Sequence, residues 1–265
     1  MKSILIKLVL LVGVGGGVFY GLSMVPWMDM LHVEELSDDT ERQLGDLAWA
    51  VVRETKSEVR STYVRAAIDS MVIRICDANG IDTADVHVHV VRDTDVNAYA
   101  LPGNHIVINS ALILDATSAD EVAGVLCHEI AHSKLGHIRE RLVKNVGLTA
   151  LVSATSSTGT TAVIKELVMQ LISTAFDRDS EREADYQAVR YLQRADIPQR
   201  PLAELMRRLA DEHTIGLDGV SLISTHPHPR ERARYLDELS KDVDTAAAPV
   251  IAPATWEQLR NAVKE

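Results

Sequence analysis

The order of apolar and polar residues predicts a mainly helical chain with one small sheet. Apolar positions spaced three or four residues apart predict two helices between residues 37 and 76. In residues 86–90 valines alternate with histidines, so His87 and His89 lie on the strand face opposite the valines. The two histidines could bind a metal as a pair or remain ordinary exposed side chains. With a second strand expected at residues 105–108, the pattern predicts an α+β fold.

A helix with a distinct start follows this sheet. Ser118-Ala119-Asp120-Glu121 is a capping box, in which the serine and glutamate side chains bind each other's backbone amides. Residues 146–176 are largely apolar but are interrupted by a Ser/Thr-rich stretch, so neither half can span a bilayer. They predict a helical hairpin, packed on its own domain or dipping into a membrane interface. Further helices are predicted at about residues 181–195, 201–213 and 230–241.

The N-terminal stretch is apolar enough to span a membrane. Two lysines precede an uncharged run over residues 8–27, and about 20 helical residues cover the roughly 30 Å of a bilayer core. Because acidic residues follow the run, the rest of the chain is expected outside the cytoplasm. Residues 1–30 therefore predict a membrane anchor, or a cleaved signal peptide ending near Gly21-Leu22-Ser23. Glycines at positions 13, 17 and 21 would let two such helices pair as a homo-oligomer.

Composition narrows the class of protein. A chain of 265 residues that is 46% hydrophobic but only 4% aromatic can build one core, mainly from aliphatic side chains. Its formal net charge of -11 argues against nucleic-acid binding, which depends on clustered lysine and arginine. Cys76 and Cys127 are too few for a disulfide scaffold, and two buried thiols are favoured over one disulfide between them.

The sequence His128-Glu129-Ile130-Ala131-His132 carries the candidate chemistry. Residues four apart lie on one face of a helix, so both histidines can reach one ion. Glu129 lies beside them and can take a proton from water at the metal. Zinc in hydrolytic sites takes three protein ligands. One more ligand must therefore come from elsewhere in the chain.

That ligand is predicted in the segment that contains Glu181 and Asp185. The two carboxylates are four residues apart, so Glu181 can bind zinc while Asp185 orients a histidine ligand. Without the HExxH sequence, the same segment would indicate only a salt-bridged, solvated helix face. His137 is nine residues from His128, about 180° around an uninterrupted helix, and is expected to face away from the metal.

Four stretches in order resemble the M48 family of zinc metallopeptidases, and most closely its periplasmic branch. The resemblance covers about residues 36–241 and implies a zincin-like metalloprotease domain with a small sheet beside the HExxH helix. Residues 242–265 remain as an Ala/Pro-rich linker and a short helix. The matching stretches are Asn97 to Gly103, His128 to His137, Glu181 to Asp185, and Ser224 to Pro227 followed by Arg232.

The resemblance implies that His128, His132 and Glu181 hold one Zn²⁺ per chain. It also implies that Glu129 is the catalytic base and that Asp185 orients a histidine ligand by accepting a hydrogen bond from its other ring N–H. These roles agree with the helical spacing of both motifs.

The resemblance further implies that His226 approaches the metal from a loop braced by Arg232, with His228 as a competing candidate. The strand after Gly103 would bind an extended polypeptide through unpaired backbone groups. The residues expected to contact substrate are Asn97, Ala98, Gly103, His105, Ile106 and Val107.

The expected function is zinc-dependent endoproteolysis of unfolded or misassembled cell-envelope proteins. The catalytic domain would lie on the periplasmic side of the membrane, anchored there or released if the N-terminus is cleaved. The alternative is a zinc-stabilised chaperone or adaptor, in which the histidine loop blocks the open zinc position. A hydrolase of non-peptide amides would require a closed pocket, whereas the strand entry at Pro102-Gly103 favours a groove.

Overall fold

A mixed sheet with helices on both faces organises the chain. The computed structural model describes residues 38–142, 144, 160–214, 221–241 and 247–264. The predicted N-terminal anchor and the first part of the predicted hairpin, residues 146–159, lie outside these residues. Among the helices that are described, none is long and apolar enough to cross a membrane.

The strands are β1 Ser57–Glu58, β2 His87–Arg92, β3 Ala98–Leu101 and β4 His105–Asn109. The helices are α1 Asp38–Thr55, α2 Thr62–Asn79, α3 Ser110–Asp115, α4 Ala119–Lys134, α5 Thr160–Ser173, α6 Arg178–Arg194, α7 Arg200–Thr214, α8 Ser221–Thr225, α9 Pro229–Ser240 and α10 Pro253–Lys264. The predicted α+β fold, mainly helical with a small sheet, is confirmed.

The strand order β1-β2-β4-β3 places β4 inside the sheet. β4 pairs in parallel with β2, aligning His87 with His105, and antiparallel with β3. The β3–β4 turn contains Gly103 and Asn104, both with positive φ, a conformation that glycine and asparagine adopt most readily. Sequence analysis expected β4 to offer unpaired backbone groups to a substrate. That expectation is wrong, because both edges of β4 are already hydrogen-bonded, and the strands with one neighbour are β1 and β3.

The two faces of the sheet pack against different helices. Alternate residues of the strands join a large core with α2, α4 and α6, and the remaining residues join a smaller core with α1 and α5. Each face therefore has its own apolar cluster. The first cluster includes Val90, Ala98, Ala100, Ile106 and Ile108. The second includes Trp49, Val91, Tyr99, Leu101, Val107 and Val168.

Helix α4 begins where the capping sequence predicts. The Ser118 hydroxyl accepts a hydrogen bond from the Glu121 backbone N–H at 3.3 Å. The Glu121 carboxylate, however, reaches one residue further back and accepts from the Thr117 N–H at 2.9 Å. It also forms an ion pair with Arg208. Both side chains of the capping box therefore accept a backbone N–H, but Glu121 binds that of Thr117 instead of that of Ser118.

The C-terminal helix α10 packs onto the main domain, a position that sequence analysis did not assign. Trp256, Leu259 and Val263 are buried in the large core, and the helix contacts α2 and α3. Arg74 of α2 secures the preceding segment by donating to the carbonyl oxygens of residues 248, 249 and 250. The described part of the C-terminal segment is therefore integral to the domain.

The cysteines are free and buried, as expected. Burial raises the pKa of Cys76 to about 11 and also raises the pKa of Cys127. Both therefore behave as small apolar side chains at neutral pH.

Candidate metal centre

Two packed helices and one loop bring four possible metal ligands to one point. Helix α4 supplies His128 and His132, α6 supplies Glu181, and the residue after α8 supplies His226. One ligand atom from each of them lies within 4.8 Å of all the others, and all four side chains are buried. Among the described residues this is the group that meets such a test.

The distances within the group are those of side chains that face one another. The Nε2 atoms of His128 and His132 are 3.0 Å apart. Oε1 of Glu181 lies 3.4 Å from Nε2 of His132, and its Oε2 lies 3.6 Å from Nε2 of His128. The four-residue spacing in each motif therefore brings the nitrogen and oxygen donors of two helices together at one point.

Asp185 lies behind His128, as the four-residue spacing from Glu181 predicts. Its Oδ1 is 2.9 Å from Nδ1 of His128, which leaves Nε2 free to face the other donors. Arg232 donates from Nε and Nη2 to the two oxygens of Asp185, at 2.8 and 2.7 Å. The hydroxyl of Tyr235 donates to the same carboxylate. Tyr235 was not predicted from the sequence, because it belongs to no motif and comes close to Asp185 only through the packing of α9.

Arg232 connects both carboxylates to the histidine loop. Its Nη1 lies 2.6 Å from Oε2 of Glu181 and 3.4 Å from the backbone oxygen of His226. Burial by itself would raise the pKa of Glu181 and Asp185, but the nearby guanidinium lowers both pKa values below their usual range. Both groups are ionised at neutral pH and available as anionic ligand and hydrogen-bond acceptor.

His226, not His228, is the loop histidine that faces the donor group. Its Nδ1 lies 2.8 Å from Oε1 of Glu181 and 3.3 Å from Nε2 of His128. His228 is exposed and lies 3.4 Å from an Arg178 nitrogen. It also has positive φ at the start of α9. His228 therefore lies at the surface, outside the buried group of donors.

The Glu129 carboxylate is buried beside the donors without being one of them. Neither of its oxygens has a hydrogen bond of standard geometry, although Oε1 lies 3.4 Å from Nε2 of His226. Burial raises the pKa of Glu129, while the charge of His226 and the nearby Ala100 backbone N–H oppose that rise. A buried carboxylate with free lone pairs and a raised pKa is suited to accept a proton.

His137 contacts the centre, contrary to the expectation that it faces away. Helix α4 ends at Lys134, and Gly136 has a φ of 81°. The helical angle used in sequence analysis therefore does not apply beyond this break. Nδ1 of His137 lies 3.0 Å from Nδ1 of His132, the nitrogen opposite to the donor group. His137 thus fixes the ring of His132 while remaining outside the four-residue group.

Three of the six residues expected to contact substrate lie on the internal strand β4. Ile106 and Val107 are buried within β4 and contribute to opposite cores. His105 points to the α1 side, where Nε2 lies 3.5 Å from Asp46. Those three assignments are wrong because β4 is internal and its side chains alternate between faces. Asn97 directly precedes the neighbouring strand β3 and Ala98 begins it, and both residues are buried.

The donor set fits a zinc ion. Two imidazoles and a carboxylate are common zinc ligands in hydrolytic sites. The Nδ1 atom of each histidine, on the side away from the metal, has a partner that sets the orientation of the ring. This partner is Asp185 for His128 and His137 for His132. The unpaired oxygens of Glu129 face the same centre. Burying these polar and charged groups is unfavourable unless each has a partner, and a bound cation would provide one.

Comparisons with known proteins agree with this geometry. The sequence profile described as Peptidase family M48 matches residues 60–240. The mitochondrial metalloendopeptidase OMA1 of Schizosaccharomyces pombe is 26% identical over 84% of this chain and 68% of its own length. The metalloprotease LoiP of Escherichia coli is 27% identical over 80% of this chain and 82% of its own.

A third relative is much longer than this chain. The beta-barrel assembly-enhancing protease of Yersinia pestis is 27% identical over 74% of this chain but only 43% of its own length. A Vibrio cholerae homologue is matched over 50% of its length. The chain therefore spans about half the length of these relatives.

Proposed function

The chain belongs to peptidase family M48, and we propose that it is a zinc-dependent endopeptidase that cleaves unfolded or misassembled proteins of the cell envelope. The observation that carries this proposal is the convergence of His128, His132 and Glu181 beside the buried carboxylate of Glu129.

His128, His132 and Glu181 would hold one zinc ion per chain. When bound, zinc supplies a Lewis acid that polarises a carbonyl and makes water nucleophilic near pH 7. Asp185 keeps the His128 ring in place, and Arg232 holds Asp185 and Glu181 at fixed positions. His137 performs the corresponding task for His132.

Glu129 would act as the general base and later as the general acid. Its raised pKa brings proton uptake closer to the working pH, where acid–base catalysis is most effective. The carboxylate would take a proton from the attacking water and pass it to the leaving amine. Because no standard hydrogen bond occupies its oxygens, both remain available for this transfer.

We propose β3, in place of β4, as the strand that binds the substrate backbone. β3 has one hydrogen-bonded neighbour in the described sheet, and the Ala100 N–H lies near Glu129. A peptide added along Ala98–Leu101 would therefore pass the base. This mode selects extended chains, because main-chain hydrogen bonds require an unfolded segment.

His226 supports a second candidate function. It belongs to the same group of four donors, so it can fill the coordination position that hydrolysis requires to be open. In the endopeptidase, substrate displaces this ring, which can then donate a hydrogen bond to the carbonyl oxygen. In a zinc-stabilised adaptor, His226 stays in place and clients bind without turnover.

The proposed location is the outer face of a bacterial-type membrane. It rests on the predicted anchor in residues 1–30, which lies outside the described residues. The printed names of relatives refer to beta-barrel assembly in Yersinia pestis and to mitochondria in Schizosaccharomyces pombe. Both names describe those proteins, and they agree with a membrane setting for this chain.

The test is cleavage of casein by the full-length protein, before and after removal of metal with a chelator. The endopeptidase cuts casein, loses cleavage with its zinc and regains it when zinc is restored. His226→Ala is expected to keep zinc and to cut faster, because the fourth position is open. His228→Asn is the matched control, since it removes a nearby exposed histidine. If both wild type and His226→Ala hold zinc yet leave casein intact, the adaptor replaces the endopeptidase.

A further inference from the structure

A second group of histidines lies on the other face of the sheet. His87 and His89 of β2 and His105 of β4 point to the α1 side, because β2 and β4 are parallel with His87 aligned to His105. The ring centroid of His105 is 4.8 Å from that of His87 and 5.2 Å from that of His89. This cluster, called the sheet histidines below, has no part in the proposed proteolysis.

Two of the sheet histidines direct ring nitrogens at each other. Nε2 of His89 and Nδ1 of His105 are 3.0 Å apart. The same separation relates the Nε2 atoms of His128 and His132 in the proposed zinc centre. The Trp49 ring stacks on His89 with a centroid distance of 3.8 Å, which holds that imidazole in position.

The outer nitrogens of the same two rings face carboxylates. Nδ1 of His89 is 3.7 Å from a Glu58 oxygen, and Nε2 of His105 is 3.5 Å from an Asp46 oxygen. A histidine that binds metal through one nitrogen commonly donates its other N–H to a carboxylate. On two neighbouring strands, the outer nitrogens of His89 and His105 have carboxylates nearby that could take this role.

A hydrogen bond between two neutral rings does not satisfy all of these contacts. A neutral imidazole has one N–H and one lone pair. If His89 donates to His105, its other nitrogen directs a lone pair at Glu58. If His105 donates to His89, its other nitrogen directs a lone pair at Asp46. A cation between the inner nitrogens lets both outer N–H groups face their carboxylates.

We propose that the sheet histidines form a second site for a divalent transition-metal ion. His89 and His105 supply two fixed ligands, and the exposed His87 turns towards them as the third. Neutral imidazoles suit zinc, copper and nickel. The site would join β2 to β4 on the side of the sheet away from the catalytic helix.

The charges around the cluster are compatible with a metal. Burial lowers the pKa of His89 to about 3 and also lowers the pKa of His105, so both rings are neutral and able to bind at pH 7. Arg53 and Arg65 add positive charge nearby. The carboxylates of Glu58 and Asp46 offset these two cations.

The first experiment counts zinc in the full-length protein after equilibration with excess zinc and removal of loosely bound ions. Wild type is expected to retain about two ions per chain, while His87→Ala and His89→Phe retain about one. Phenylalanine keeps an aromatic ring for the stack on Trp49 and removes both ring nitrogens of His89. His228→Asn is the matched control for loss of an exposed histidine, and it should keep the wild-type count.

His128→Ala separates this site from the proposed catalytic centre. It is expected to lose the catalytic ion while retaining the ion at the sheet histidines. A second measurement uses Cu²⁺, which should quench the part of the tryptophan fluorescence that comes from Trp49, one of three tryptophans, in wild type and in His128→Ala but not in His87→Ala. The proposal is overturned if His87→Ala and His89→Phe keep the wild-type zinc count, or if Cu²⁺ quenches His87→Ala as strongly as wild type.

Discussion

At the scale of single residues, the guanidinium of Arg232 stabilises the buried centre by contacting two carboxylates at once. Arg232 is only 2% exposed and contacts Glu181 and Asp185, which are 2% and 0% exposed. Removing charges from water is costly unless each one has a partner. The two carboxylates, the guanidinium and the histidines therefore depend on one another.

Asp185→Asn tests this dependence. Asparagine keeps the shape of Asp185 but loses the negative charge that His128 and Arg232 contact, so zinc affinity is expected to fall by about 10–100-fold. The measurement is zinc competition against a chromophoric chelator. Asp179→Asn removes an exposed carboxylate from the same helix and should leave zinc affinity unchanged. Equal affinity in Asp185→Asn and wild type would contradict the role of Asp185.

The local motifs could be predicted from sequence because each depends on a single helix. Residues four apart share a face, so His128 and His132, and separately Glu181 and Asp185, meet without any knowledge of the fold. His137 could not be placed in this way, since Gly136 breaks the helix just before it. His226 was expected near the metal by resemblance, and burial separates the two loop histidines, because His226 lies among the donors while His228 is exposed.

At the scale of elements, the approach of α1 to the β3–β4 turn depends on Gly45. A Cβ atom there would lie 2.3 Å from the carbonyl oxygen of Pro102 and 3.0 Å from His105 Cδ2. The first contact is with backbone, which cannot turn aside as a side chain can. A glycine inside a helix is otherwise unfavourable by about 1 kcal/mol relative to alanine.

Gly45→Ala is therefore expected to destabilise the protein by about 1–3 kcal/mol despite the better helix propensity of alanine. Urea unfolding of the purified protein measures the effect. Gly124→Ala is the matched control at a second helical glycine, because its closest new contact would be the Leu202 Cβ at 2.9 Å, whereas at Gly45 it is a carbonyl oxygen at 2.3 Å. The control should lose less stability. A Gly45→Ala protein as stable as wild type would show that α1 does not pack as closely against the β3–β4 turn as described.

The strand order shows where sequence patterns stop being informative. Alternation predicted β2, and a short strand was expected after Pro102-Gly103-Asn104, but neither signal tells which strands are neighbours. The short strand β3 lies between turn residues and has buried residues at every position, so no alternation marks it. Because β3 lies between β4 and the edge of the sheet, the substrate contacts expected at His105, Ile106 and Val107 were assigned to an internal strand.

At the scale of the whole molecule, the C-terminal segment joins the core formed by distant residues. Trp256 is 6% exposed and packs in the same cluster as α2, α4 and α6. The sequence predicted a short helix at this position but not its docking site, because the docking contacts lie more than a hundred residues earlier. Tyr63, for example, donates a hydrogen bond to the Thr255 carbonyl at 3.3 Å.

Trp256→Ala should cost about 3–5 kcal/mol, the usual effect of removing a large buried aromatic side chain. The free energy of unfolding in urea measures this loss. Glu257→Ala, at the exposed neighbouring position, should change stability by less than about 0.5 kcal/mol. Equal stability of Trp256→Ala and wild type would show that α10 does not contribute to the core.

The central claim is that the chain uses a zinc centre and Glu129 to hydrolyse peptide bonds. The most direct test compares kcat/KM for casein cleavage in wild type and Glu129→Gln, with zinc content measured on the same samples. Because glutamine cannot accept the proton, the variant should keep its zinc and lose about 100-fold or more in kcat/KM. A Glu129→Gln protein that holds zinc and cleaves casein as fast as wild type would contradict the account.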